Sequence, residues 1–179
     1  MPFWPPNSFY FITSKTFLGE KIFNDYHKKK IVLEQIHKAV KKLNIPIYAY
    51  SIAENHYHAL LYFNDFKKHS KFKQIVNGGS AFLYNKKYHT ENEFGKMWLD
   101  SRSLIVYNQK SLLRVIGYIA GNLLKHKEVE YFRELKKCPF SSYRQLVEEI
   151  GDEEAENIVR RVIKVEEDND YLIDLGKLN

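Results

Sequence analysis

Apolar and polar positions alternate between two periods along the chain, and the changes of period predict its elements. Phe9 to Thr13 is an aromatic and β-branched run of strand character. Asn24 or Asp25 can cap a helix reaching to about Leu43. In it Ile31, Leu33, Ile36, Val40 and Leu43 recur at helical spacing, and the lysines lie mostly elsewhere on the wheel. Asn44 to Pro46 ends it. Residues 47–53 and 56–63 read as two strands joined at the turn-forming Glu54 and Asn55, hence a hairpin. Residues 67–84 look helical up to an interruption at Gly78 and Gly79, 85–96 are polar and loop-like, and strand character returns over 97–107. Ser111 is the expected cap of a helix ending near Lys127. Phe140 to Tyr143 falls in a turn before a last, acidic helical segment.

The order β-α-β-β-α-β-α is close to the split βαβ pattern of ferredoxin-like folds. The expected class is therefore α+β: an antiparallel sheet with helices packed on it, plus an acidic helical C-terminal tail. Helices confined to one face would leave the other face open to a ligand. With 179 residues the chain is sized for one domain. We divide it at 145, into a body of residues 1–145 and an acidic extension of residues 146–179.

Charge sharpens this division. Residues 1–145 hold 24 basic and 11 acidic side chains, a net +13, whereas residues 146–179 hold 4 and 11, a net −7. A body so basic suits a polyanionic partner, and 13 Tyr and 12 Phe offer stacking surfaces for bases. No apolar stretch is long enough to span a membrane, the N-terminal residues lack the features of a signal peptide, and the single Cys138 admits no internal disulfide. A cytoplasmic, bacterial location is the expectation.

Candidate chemistry lies in two places. On a strand, His56 and His58 project from the same face, so their imidazoles can share one metal ion. The alternative is a pair of histidines hydrogen-bonded within the sheet. On the helix that follows Ser111, the residues Leu112, Ile116, Ile119 and Leu123 form one stripe, and Tyr118 sits roughly 130° away from it. There it shares a polar face with Arg114, Asn122 and Lys125. The wheel thus places Tyr118 outside the core of its helix. Gly117 and Gly121 flank that face, which implies close approach by another helix or by a phosphodiester strand. A tyrosine hydroxyl attacking phosphorus would form a phosphotyrosine ester. The unperturbed phenol, with a pKa of about 10, needs help at neutral pH. A metal on the phosphate or the charge of Arg114 or Lys125 could supply it. The Asn122 carbonyl oxygen is a candidate third ligand.

These motifs together resemble the single-tyrosine HUH transposases, and most closely the REP-associated tyrosine transposases. The family strand Met-x-Asn-His-x-His is matched by Ile52 to His58, the helix Tyr-Ile-x-x-Asn-Pro by Tyr118 to Leu123, and the aromatic-Ser-Ser-Tyr motif by Phe140 to Tyr143. Trp98 stands where a tryptophan often precedes the fourth strand. The likeness runs from about Ser8 to Leu146. It implies a ferredoxin-like sheet, Mg²⁺ or Mn²⁺ held by His56, His58 and Asn122, and Tyr118 as the nucleophile. It further implies cleavage of single-stranded DNA beside a hairpin, with a 5′-phosphotyrosine link and a free 3′-hydroxyl as products. A homodimer is compatible with it. Leu123 replaces the usual proline and Glu54 the usual proline or small residue, and neither change removes a group the chemistry needs.

Three other readings compete. A protein of the same ancestry could bind hairpins without cutting them. A relaxase would often carry more histidines or two tyrosines. A zinc hydrolase would leave Tyr118 unexplained. Arg114, Lys125, Lys28, Lys29, Lys67, Lys68 and Lys71 are the expected DNA contacts. Residues 152–168 carry Ala155, Ile158, Val159, Val162 and Ile163 at helical spacing. That helix either completes the core, the favoured reading, or docks on the basic body in competition with DNA.

Overall fold

A computed structural model describes residues 6–88 and 96–164. Four strands, β1 (Ser8–Lys15), β2 (Ile47–Ile52), β3 (His56–Phe63) and β4 (Arg102–Val106), form one antiparallel sheet in the order β2-β3-β1-β4. The helices are α1 (Tyr26–Leu43), α2 (Phe66–Lys73), α3 (Gly79–Tyr88), α4 (Gln109–Ala120), α5 (Asn122–Lys125), α6 (Phe132–Lys137), α7 (Tyr143–Ile150) and α8 (Asp152–Val162). The fold class is as expected, α+β on an antiparallel sheet.

Local chemistry explains most boundaries. The Asp25 side chain accepts the Lys28 amide proton and starts α1, while Asn44, left-handed at φ 47°, ends it. The helical run from Phe66 is broken by a π turn over Gln74–Gly78. At Gly79 a Cβ would lie 2.3 Å from Gln35 Oε1, so the small residue lets α3 start against α1. The helix continues through Tyr88, past the point where a loop was expected; residues 89–95 of that expected loop lie outside the described residues. Ser111 is not the cap of α4. Asn108, as good a capping residue, takes that place by accepting from the Ser111 amide, and Ser111 is buried in the first turn. The expected strand over 97–107 condenses to β4, with Trp98 joined to Thr16 by an isolated bridge. The acidic segment is two helices, α7 and α8.

Alternation along the strands makes two faces. Tyr10, Ile12, Tyr57, Ala59, Leu61 and Phe63 point to one, which we call the back, and pack with Val32, Ile36 and Ala39 of α1 and Phe72 of α2. Phe11, Ala49, Leu60 and Val106 point to the front and pack with Val115, Tyr118 and Ile119 of α4. The front is therefore not open: α4 lies over β2 and β3. The hydrophobic stripe of α4 is wider than a single seam because the helix is gripped on two sides. A Cβ on Gly117 would lie 2.4 Å from Ile158 Cγ2, and one on Gly121 2.4 Å from Val159 Cγ1. The close approach implied by these glycines is thus made by a helix, α8. Its Ala155, Ile158, Val159 and Val162 are buried while its first-turn acids face water. The core-completing reading holds for residues 152–162, and residues 165–179 lie outside the described residues.

Candidate active site

The front of β3 carries His56 and His58, 2% and 0% exposed, with ring centroids 4.8 Å apart. Each ring is oriented from behind. The Thr13 hydroxyl of β1 lies 2.9 Å from His58 Nδ1, and Asn55 Oδ1 lies 2.7 Å from His56 Nδ1. The Asn55 carbonyl oxygen, which can only accept, takes the ring proton of His56 at Nδ1 and leaves the lone pair on Nε2, the arrangement that metal-binding histidines adopt, and the Thr13 hydroxyl is placed to do the same for His58 when it accepts. His58 Nε2 is buried with no hydrogen-bond partner. Burial first, then the charges of His56, His126, Lys15 and Lys125, hold its pKa well below the ordinary histidine value, so the ring is neutral.

Asn122 enters from the helix side. Its Oδ1 is 3.0 Å from His56 Nε2 and its Nδ2 is buried without a partner. A turned amide or a shared cation would reconcile these atoms. Two cis ligands on an octahedral ion with bonds of ~2.1 Å stand about 3.0 Å apart, so the residues present fit the divalent metal expected from the sequence. Among the described residues no three His, Cys, Asp or Glu side chains are grouped to hold a metal by themselves, so a metal held here would draw on the Asn122 amide oxygen as well.

Tyr118 is 2% exposed and lies beside this group, its ring 5.5 Å from that of His58 and 6.1 Å from Phe11. The helical wheel had excluded it from the core. In fact the same side of α4 that carries Tyr118 carries Val115 and Ile119 onto the sheet. Lys125 Nζ donates to the Tyr118 hydroxyl at 3.2 Å and sits 4.7 Å from the ring centre. Arg114, half-buried, lies one turn before Tyr118 on α4.

The geometry between Tyr118 and Asn122 depends on a break in the helix. After Ala120 the hydrogen bonding tightens, the Leu124 amide turning to the Gly121 carbonyl at 3.1 Å. The Ala120 carbonyl is then taken by the Ser141 hydroxyl at 2.8 Å, and Ser141 Oγ accepts in turn from the Tyr143 amide. Residues 140–142 pair along the edge of β2, with Ile52 N–H donating to the Phe140 carbonyl and Ser142 N–H to the Tyr50 carbonyl. The Phe-Ser-Ser-Tyr motif, which had no role assigned to it, fastens the end of α4 to the sheet edge.

Two neighbours escaped the sequence reading. His126, four residues after Asn122 and so on the same helix face, brings its ring within 4.8 Å of His56; the spacing was a usable signal. Glu128 takes the Glu54 amide proton in the turn between β2 and β3 and pairs with Lys29.

The lysines named from the sequence fall elsewhere. Lys28 and Lys29 are on α1 and Lys67, Lys68 and Lys71 on α2, both helices of the back face. Lys29 is buried against Glu128, and Lys28 is engaged by Asn24 and Asp25. Lys67 and Lys71 are exposed, the latter bonded to Gln74. Only Arg114 and Lys125 of that set reach the front.

No helix among the described residues is long and apolar enough to cross a membrane. No individual curated protein sequence matches the chain significantly. Among solved structures, a REP-associated tyrosine transposase bound to a REP hairpin superposes with a TM-score of 0.61 at 16% identity, over 81% of this chain and 82% of that one. A putative transposase from Deinococcus radiodurans R1 superposes at 0.49 and 12% identity, over 70% and 92%. The first likeness is one of fold. The model of the family described as "Transposase IS200 like" matches residues 15–122, from the end of β1 through both histidines to Tyr118 and Asn122. On that match, which spans more than half the sequence, the chain belongs to the IS200-like transposase family.

Proposed function

We propose that this transposase is a metal-dependent single-strand DNA transesterase that cleaves and rejoins DNA beside hairpins. The observation that carries the reading is the convergence, from three elements, of His56, His58, Asn122 and Tyr118 on one buried site. A structural relative bound to a REP hairpin supports a hairpin partner.

The Tyr118 oxygen attacks a backbone phosphorus, and a bond forms between them as the bond from phosphorus to the 3′-oxygen breaks. The phenolic proton leaves to solvent, and the departing oxygen takes one up to become a 3′-hydroxyl. The 5′ side stays on the enzyme as a phosphotyrosine ester, and attack by a 3′-hydroxyl reverses the exchange. One phosphoester replaces another, so no external energy source is required. Mg²⁺ or Mn²⁺ held by His56, His58 and Asn122 would withdraw charge from the phosphate. Asn55, and Thr13 when its hydroxyl accepts, would keep the imidazole lone pairs turned toward that position. Lys125, by donating to the Tyr118 hydroxyl, favours the phenolate. Because Tyr118 is buried, the strand reaches it only when side chains above it, Lys125 first, give way.

Hairpin oligonucleotides from the flanks of the gene, incubated with Mn²⁺ and separated under denaturing conditions, should give a protein–DNA adduct. EDTA and Tyr118→Phe should each abolish it. Tight hairpin binding with no adduct under any divalent metal would replace this reading with that of a non-catalytic hairpin-binding protein.

A further inference from the structure

The back-face lysines are on the wrong side of the sheet to guide a strand to Tyr118, so the phosphates need other partners. The strand register supplies them. Directly paired residues of neighbouring strands project to the same face. Lys15 pairs with His56, and Thr13 pairs with His58 on one side and with Arg102 of β4 on the other. The Thr13 hydroxyl touching the His58 ring fixes this face as the front. Ser103, next to Arg102, points to the back, where its hydroxyl meets His69 at 2.8 Å, so Arg102 points forward. Arg102 is exposed and Lys15 half-buried. Arg102 stands two strand spacings, roughly 10 Å, from His58, and Lys15 beside His56. On the helix side Lys125 closes the site. Meanwhile α4 lies over β2 and β3 and packs onto Phe11 and Val106, while Arg102, at the other end of β4, stays exposed.

Resting on the transesterase reading, we propose that the DNA strand crosses the end of the front face where Lys15 of β1 and Arg102 of β4 lie, with Lys15 and Arg102 holding phosphates on one side of the histidines and Lys125 on the other. The partner is a single-stranded phosphodiester chain entering over the edge strand β4. The surface lysines of α1 and α2 contribute at most a diffuse field.

The test is fluorescence anisotropy with a labelled single-stranded hairpin oligonucleotide in EDTA, so that binding is read without chemistry, at several salt concentrations. Lys15→Gln and Arg102→Gln should each weaken binding severalfold and flatten the dependence of log affinity on log salt by about 0.7 per lost contact. Lys67→Gln with Lys71→Gln should leave the slope unchanged. Lys15→Arg and Arg102→Lys, which keep the charge, should bind like the parent and show that loss in the Gln variants is not misfolding. Unchanged binding in both Gln variants, or an equal loss in the α2 pair, would overturn the proposal. An adduct assay on the same proteins separates the two readings. A parent that binds with the expected front-face pattern yet forms no adduct keeps the strand path and loses the transesterase. An adduct formed by a parent whose Lys15 and Arg102 variants bind normally does the reverse.

Discussion

The two faces of the sheet are built from the same strands and opposite kinds of residue. On the back, β1 and β3 present Tyr10, Ile12, Tyr57, Leu61 and Phe63 to α1 and α2, with the polar exceptions tied off: the Tyr57 hydroxyl donates to Asn77 Oδ1 and His69 bonds Ser103. On the front, the same strands present His56, His58, Thr13 and Lys15, and Ser51 Oγ, His58 Nε2 and Asn122 Nδ2 are buried there without a hydrogen-bond partner. Buried unsatisfied groups cost stability. Leaving them on one face while resolving them on the other is what the proposed metal site at His58 and Asn122 would require. On the proposed function, the back holds the fold and the front the chemistry.

The sharpest way to break this contrast is to remove one histidine from each face. His58→Ala should weaken Mn²⁺ binding, followed by titration calorimetry, by roughly a hundredfold. His69→Gln, an equally buried histidine of the back face, should leave it unchanged. Equal effects would erase the distinction.

A second contrast concerns the support of α4. Gly117→Ala combined with Gly121→Ala drives two methyl groups into Ile158 and Val159. Overpacking of ~1–3 kcal/mol at each site outweighs the helix gain of about 1 kcal/mol each, so the double variant should unfold at lower denaturant. Removing α8 outright is a poor probe of DNA competition, because it uncovers the side of α4 that carries these glycines. Ser141→Ala should cost about 1–3 kcal/mol by stranding the Ala120 carbonyl and the Tyr143 amide, and should also weaken Mn²⁺ binding, since the break it secures aims Asn122 at His56. A stability loss with unchanged Mn²⁺ affinity would leave Ser141 a purely structural residue.

The smallest effect is on acid stability. Burial, then the charge of Lys73, lowers the His69 pKa to about 4, against about 6.5 in the unfolded chain. The unfolded state therefore binds more protons between these values, and the stabilisation present above pH 6.5 is lost as pH falls toward 4. His69→Gln should flatten that part of a denaturation-versus-pH curve, and His58, shifted the same way, should keep some slope in place.

How much of this could be read from the chain depended on whether a residue's surroundings were local. The alternation of β3, the Asp25 cap and the hairpin at Glu54 and Asn55 are local facts, and the structure repeats them. The histidine pair shared a face because strand geometry requires it. Tyr118 was misplaced because a helical wheel assumes one buried side, whereas α4 packs its Val115–Tyr118–Ile119 side on the sheet and its Gly117–Gly121 side on α8. The lysines of α1 and α2 could not be assigned to a face in advance, because charge clusters along a sequence carry no information about which face of a sheet their helix covers. Lys15 and Arg102 are single basic residues in strands, far apart in sequence, and only the register joins them. Ser141 was visible as a motif, but its partner, a carbonyl freed by a helix break, exists only in the folded chain.

The most direct test maps the covalent link. After reaction with a hairpin oligonucleotide and Mn²⁺, nuclease and trypsin digestion should yield the peptide from Val115 to Lys125 carrying a nucleotide on Tyr118, detectable by mass spectrometry and absent with EDTA. A nucleotide on any other tyrosine, or none while the hairpin is bound, would contradict the account.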